Sequence, residues 1–84
     1  MRVEISRRAQ KEIDLLPLHI RTKVVNEILS FEDDPGSVDL KKIKGKKNYY
    51  RVRAGDMRIG IRVTWKKGIA IVERVVNRKY LHRI

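Results

Sequence analysis

The stretch NYYRVRAGDMRIGIRV, Asn48 to Val63, decides how the rest of the chain is read. Hydrophobic residues alternate with arginines on both sides of Gly55-Asp56. That is the pattern of two antiparallel strands joined by a two-residue turn, with Gly supplying a positive φ. Such a turn sets Ala54 opposite Met57, Arg53 opposite Arg58 and Val52 opposite Ile59. Because side chains alternate along a strand, Arg51, Arg53, Arg58 and Arg62 share one face, and Val52, Ile59, Ile61 and Val63 share the other. Gly60 falls on the arginine face and leaves a gap there. Like charges opposite one another are mildly destabilising, so a single-sign face with a vacancy reads as a seat for an anion. For any one arginine the plainer reading is a solvated outer face whose long stems cover apolar surface. For the set, taken with Lys44, Lys46 and Lys47 just upstream, anion binding is the better reading. The planar guanidinium fork suits phosphate because it donates two hydrogen bonds at once.

Working outward, three strands are predicted: Tyr49 to Ala54, Met57 to Thr64 and Ile69 to Val76. WKKG turns the chain between the last two, and the register there is open. A three-residue loop at Trp65 to Lys67 pairs Arg62 with Ala70 and Arg58 with Arg74. A two-residue turn at Lys66-Lys67 puts Glu73 on the basic face instead, since a slip of one residue inverts every side chain. The segment after Asn77, NRKYLHRI, reads as a short tail or helical turn. Upstream, MRVEIS alternates as a first strand, and Ser6 is placed to cap the helix that follows. In RRAQKEIDLL, Ala9, Ile13 and Leu16 form one apolar stripe. Pro17 breaks that helix and suits the first turn of the next. There Ile20, Val24 and Ile28 form a stripe, with Val25, Leu29 and Phe31 beside it, until DDPG stops it. Residues 37 to 47 read as a lysine-rich connection anchored by Leu40 and Ile43. The expectation is one α+β domain over residues 1–84. In it an N-terminal strand and a two-helix hairpin pack on one face of a mostly antiparallel sheet, in the order β-α-α-β-β-β.

Composition narrows the function. A chain of 84 residues buries only about 60–65% of its unfolded surface, so a partner would help its thin core. Lys plus Arg number 21 against 10 Asp plus Glu, a formal charge of +11, which attracts polyanions such as nucleic acid, an anionic membrane or an acidic protein. Aromatic residues are 6%, too few for a broad base-stacking platform. With no cysteine and only His19 and His82 as imidazoles, neither a disulfide framework nor a metal site is expected. No cofactor is expected either. The charged start MRVEISRR is not a signal peptide, and no apolar run approaches the ~20 residues that span a bilayer. A cytoplasmic location without membrane contact follows as the expectation.

Two stretches, LKKIKGKKNYYRVRAGDMRIGIRV and VERVVNRKYLHRI, resemble the core of the RelE/ParE toxin superfamily of toxin–antitoxin pairs. The family pattern is a Leu/Ile-x-Gly turn, then Tyr/Trp-Arg-Val-Arg, a Gly-Asp-Tyr-Arg hairpin, a Val-rich strand, and an ending such as His-Arg-Lys-Asp-Ile-Tyr. The opening EISRRAQKEIDLLPLHIRTKV also fits the family's two-helix start, so the likeness spans nearly the whole chain. Its specificity lies in the order and spacing of the motifs.

The RelE branch implies a metal-independent endoribonuclease (an mRNA interferase) that cuts mRNA in the ribosomal A site, by attack of a 2′-hydroxyl on the adjacent phosphate. Carried over residue by residue, Arg51 and Arg53 match the basic pair before the turn. Arg58 matches the hairpin arginine and Arg78 the C-terminal one. Met57 replaces the tyrosine before the hairpin arginine, and His82 stands where the terminal tyrosine often lies. The resemblance thus implies Arg58 and Arg78 as charge stabilisers and His82 as proton carrier, with Tyr80 the alternative. Lys44, Lys46, Lys47, Arg51, Arg53 and Arg62 would hold RNA. Without the resemblance, His82 reads as a solvated tail residue and His19 as a surface or boundary residue. Of Tyr49 and Tyr50, one packs and the other is free to stack on a base; Trp65 is open between core and contact. The partner implied is an acidic, partly disordered antitoxin that folds on this domain. Two alternatives stand beside the nuclease: a ParE-like toxin that inhibits DNA gyrase by protein contact, and a basic RNA-binding module without activity.

Overall fold

Ser6 ends the first strand and begins the first helix. Its backbone is extended, and its Oγ accepts a hydrogen bond from the Ala9 amide at 3.1 Å, a cap worth about 1 kcal/mol. The computed structural model describes all residues, Met1–Ile84. Strand β1 is Arg2–Ile5, helix α1 Arg7–Asp14 and helix α2 Leu18–Asp33. A 3-10 turn at Pro35–Ser37 leads to β2, Leu40–Lys42, then β3, Tyr49–Ala54, β4, Met57–Thr64, and β5, Ile69–Asn77. A 3-10 segment, Arg78–Arg83, follows.

The five strands lie in the order β1-β5-β4-β3-β2, with β1 parallel to β5 and every other pair antiparallel. Both helices cover one face. Ala9 and Ile13 of α1 and Val24, Ile28 and Phe31 of α2 are buried against Val52, Ile59, Ile61, Val63, Val72 and Val75. Arg21 of α2 closes the helical hairpin by donating from Nη2 to the Leu16 carbonyl at 3.1 Å and the Asp14 carbonyl at 3.5 Å. It thereby serves carbonyls that the end of α1 leaves without partners.

The α+β expectation holds, with three corrections and one open register settled. First, the lysine-rich connection contains a strand: Leu40 pairs with Val52, Lys41 with Arg51 and Lys42 with Tyr50. Leu40 and Ile43 do anchor it, but they pack into different clusters. Their spacing of three therefore hides the strand's alternation. A lysine-rich edge is also how sheets discourage further pairing. Second, Val25 and Leu29 are 37% and 54% exposed. Each lies one residue, about 100° of helix, past the buried Val24 and Ile28. Third, Pro17 caps α2 from just outside rather than sitting in its first turn.

The register left open between β4 and β5 takes one of its two alternatives. Trp65–Lys67 and the left-handed Gly68 form the connection, and Thr64 pairs with Ile69 and Arg62 with Ile71. This is the pairing of the Lys66-Lys67 alternative. A bulge between Gly60 and Ile61 then shifts it, so that Gly60 pairs with Arg74 and Arg58 with Val76. The extra residue is Glu73. The bulge lets Val72 and Val75, three apart, both face the helices.

Candidate functional site

The Gly55-Asp56 turn forms as expected. Gly55 has φ +61°, Ala54 pairs with Met57, and Arg53 with Arg58. Arg51 lies opposite Gly60 and Tyr49 opposite Arg62, on the face away from the helices. The arginines there have different fates. Arg58 is only 9% exposed. Its Nη1 donates to the carbonyls of Gly55 at 2.8 Å and Met57 at 2.9 Å, while Nε and Nη2 meet no protein acceptor. A guanidinium has five N–H donors, so most of this fork is unused. Burial, and then the positive charges of Arg53, Arg51 and Arg78, lower its proton affinity; Asp56 opposes them. The charge nonetheless persists at neutral pH.

A cleft of about 460 Å³ opens beside it, lined by Lys41, Lys42, Ile43, Lys44, Arg51, Arg58 and Leu81. Five of the seven are cations and none is acidic. Arg51 is steadied at its rim by Asp39, 3.3 Å from Nη1. Such a cleft offers concentrated positive charge, with Asp39 at the rim the one carboxylate that draws on its donors, which suits a phosphate oxygen.

Arg62 is committed elsewhere. Its Nε donates to Glu73 at 2.8 Å and its Nη1 to the Lys47 carbonyl at 2.9 Å. The Glu73 hydrogen bond raises its proton affinity, against the effect of burial. The face is therefore not of one sign, because the pairing that sets Arg62 opposite Ile71 also sets Glu73 on it, as the Lys66-Lys67 alternative has it. Nor is Gly60 a vacancy. The Tyr49 ring and Ile84 occupy the space a side chain would need. Arg62 and Lys46 lie against that ring, 4.9 and 5.1 Å from its centre.

The C-terminal segment folds back over this face, with Ile84 buried against Tyr49 and Val76. Asn77 caps it by accepting from the Lys79 amide at 3.1 Å. Arg74 clamps its far end, donating from Nη1 to the Arg83 carbonyl at 2.9 Å. Arg78 begins it, with its amide on the Asp56 carbonyl at 2.8 Å and its Nε 3.8 Å from the Asp56 carboxylate. Arg78 is thus at the same turn as Arg58. Tyr80 is 45% exposed beneath the Arg83 guanidinium, and His82 is exposed with no side-chain hydrogen bond.

Of the residues singled out from sequence, the cleft gathers Arg58, Arg51 and Lys44, with Arg53 and Arg78 close enough to bear on Arg58. Lys46 and Lys47 line an adjoining cleft of about 630 Å³. Tyr80 and His82 line neither. Lys41, Lys42 and Leu81 were not singled out; recognising β2 as an edge strand beside Arg51 would have found the two lysines. No three His, Cys, Asp or Glu side chains gather as a metal-holding group. No helix is long and apolar enough to cross a membrane.

No protein-family model matches the chain. It is, however, 35% identical to toxin RelE3 of Methanocaldococcus jannaschii, over 98% of this chain and 96% of that protein. The chain belongs to the RelE toxin family. Its fold agrees with solved RelE structures. A RelB–RelE antitoxin–toxin complex from Methanococcus jannaschii matches with a TM-score of 0.76 and 32% identity, covering 94% of each chain. The RelE–RelB complex from Pyrococcus horikoshii matches at 0.77 and 26% identity, over 92% of this chain and 93% of that one. The five-stranded sheet with two helices on one face is thus the RelE architecture, and the cleft at Arg58 lies on the sheet face opposite those helices.

Proposed function

We propose that this RelE-family chain is a ribosome-dependent mRNA endonuclease, held silent by an acidic antitoxin and active in the cytoplasm. The observation that carries the reading is Arg58: a nearly buried guanidinium, anchored on two backbone carbonyls, with its remaining donors unused beside a cleft lined by cations. In the reaction, the 2′-oxygen bonds to the neighbouring phosphorus and the bond to the 5′-oxygen breaks. This leaves a cyclic phosphate and a 5′-hydroxyl. Negative charge builds on the phosphorane oxygens, and Arg58, fixed before substrate arrives, stabilises it without reorganisation. Arg78, at the same turn, adds a second cation. Lys44, Lys46, Lys47, Arg51 and Arg53 hold the RNA backbone. The 2′-proton must leave and the 5′-oxygen must gain one. His82, with Tyr80 the alternative, is the carrier, and its place outside the cleft requires the C-terminal segment to reseat when RNA binds.

The relatives crystallised as antitoxin–toxin complexes support an antitoxin partner, and the +11 charge favours an acidic one. The test is expression without a partner. Growth should arrest, and primer extension on ribosome-bound mRNA should show A-site cuts that Arg58→Ala and Arg78→Ala abolish in folded protein. Intact mRNA together with inhibited DNA supercoiling would overturn the proposal in favour of gyrase.

A further inference from the structure

The cleft at Arg58 is one end of a longer path. It shares Lys42, Ile43 and Lys44 with the second cleft, and that one shares Lys47 with a third, of about 430 Å³, where Lys47, Asn48, Thr64, Trp65 and Lys66 meet. No acidic residue lines any of the three. Along β4, the separation from Arg58 to Thr64 is about 20 Å at a rise of ~3.3 Å per residue, room for several nucleotides.

Trp65 stands at the far end. Its Nε1 donates to the Tyr50 hydroxyl at 3.0 Å, and the two rings meet edge to face, 5.7 Å between centres at 83°. The indole is thereby held in one orientation with its only polar atom already satisfied. It is still 45% exposed, so what it offers to the cleft is ring surface. Trp65 is the one hydrophobic residue in that lining, between two lysines. A protein partner would need more apolar area than one ring supplies. A nucleotide needs a flat ring for its base and cations for its phosphates.

We infer that Trp65, with Lys47 and Lys66, is a nucleobase-stacking site for single-stranded RNA, several nucleotides along the strand from the phosphate at Arg58. This deepens the nuclease reading and rests on it for the identity of the polyanion. The site holds and registers the strand; it takes no part in bond breaking.

Trp65 is the sole tryptophan, so its fluorescence reports on the site directly. Titrating the intact chain with short single-stranded oligoadenylate at low salt should quench that fluorescence in step with binding followed by anisotropy of labelled RNA. Trp65→Ala, checked for folding by circular dichroism, should weaken RNA binding roughly tenfold. Trp65→Phe, which keeps a ring, should retain most of the affinity. RNA binding with no change at Trp65, or with the Ala variant binding equally well, overturns the inference and leaves the nuclease reading standing. So does an acidic peptide that loses affinity on Trp65→Ala when RNA does not, which would make the ring a protein contact. Quenching by RNA in a chain that makes no cuts on ribosomes would sink the nuclease reading and spare this one.

Discussion

The Tyr49 ring fills the space that Gly60 leaves open on the neighbouring strand. A Cβ at Gly60 would collide with the Tyr49 hydroxyl and lie 2.9 Å from Cγ2 of Ile84 and 3.0 Å from Cζ of Tyr49. Glycine is required here for room rather than for backbone freedom, since this glycine has no positive φ. Gly60→Ala should destabilise the fold by about 1–3 kcal/mol through overpacking, read as a lower urea midpoint. Removing the hydroxyl in Gly60→Ala/Tyr49→Phe should recover part of that loss, giving a coupling energy in a double-mutant cycle. Simple additivity would mean that the two positions do not press on one another.

The same tyrosine gives the fold a limit at high pH. Burial, then the charge of Glu73, pushes its hydroxyl up from 10.0 to about 12. The folded chain therefore keeps the proton where the unfolded chain has released it. Stability is unaffected below pH 10, falls as pH rises from about 10 to 12, and by then has dropped on the order of 2–3 kcal/mol. Tyr49→Phe should remove this component, so thermal melts of the variant should lose less stability over that window than the native chain. Parallel curves would count against it.

Arg58 separates function from stability. A buried charge costs desolvation that only good pairing repays, and here the partners are two carbonyls at a turn. Arg58→Met should leave the melting temperature unchanged or higher while lowering ribosomal mRNA cleavage by about 10²–10³-fold. Arg58→Lys should also fail, because one ammonium cannot hold both carbonyls and still present a fork. A Met variant that unfolds would show Arg58 to be mainly structural.

Glu12 ties the first helix to the far end of the chain. Its carboxylate accepts from Arg74 Nη2 at 3.1 Å and from the Val75 amide at 2.8 Å, and the same Arg74 clamps the Arg83 carbonyl. Glu12→Gln weakens charge-assisted bonds in a partly buried place, and should cost about 1.5–3 kcal/mol. Hydrogen exchange of the Arg78–Arg83 amides should rise beyond what that global loss explains. Equal changes across all amides would mean that the clamp does not act on the tail.

His82 and Tyr80 set the test of proton transfer. If His82 carries the proton, Ala and Gln in its place should each lower cleavage by about 10²–10⁴-fold and remove its limb from the pH–rate profile. Tyr80→Phe should then matter little. Full cleavage in both His82 variants would end that role.

Strand alternation around Gly55-Asp56 foretold β3 and β4 with their pairing, and with it the arginine face, because a tight turn leaves no choice of register. Ser6, the Ala9–Ile13 stripe and the stop at Pro35-Gly36 were equally legible, being local features with local causes. The motif order also carried the family. Other features depended on contacts between residues far apart in sequence. Glu73 reaches Arg62 because β5 pairs with β4 in the register that sets Arg62 opposite Ile71. Lys41 joins the cleft because β2 pairs beside Arg51. Ile84 closes the space at Gly60 because the tail folds back under Arg74. The sequence by itself determined which residues share a strand face and how much positive charge the chain carries, since both follow from period and composition. Only the tertiary structure decided which cations are neutralised and which stand free, because that depends on the carboxylates and carbonyls that the remaining strands and the tail bring against them.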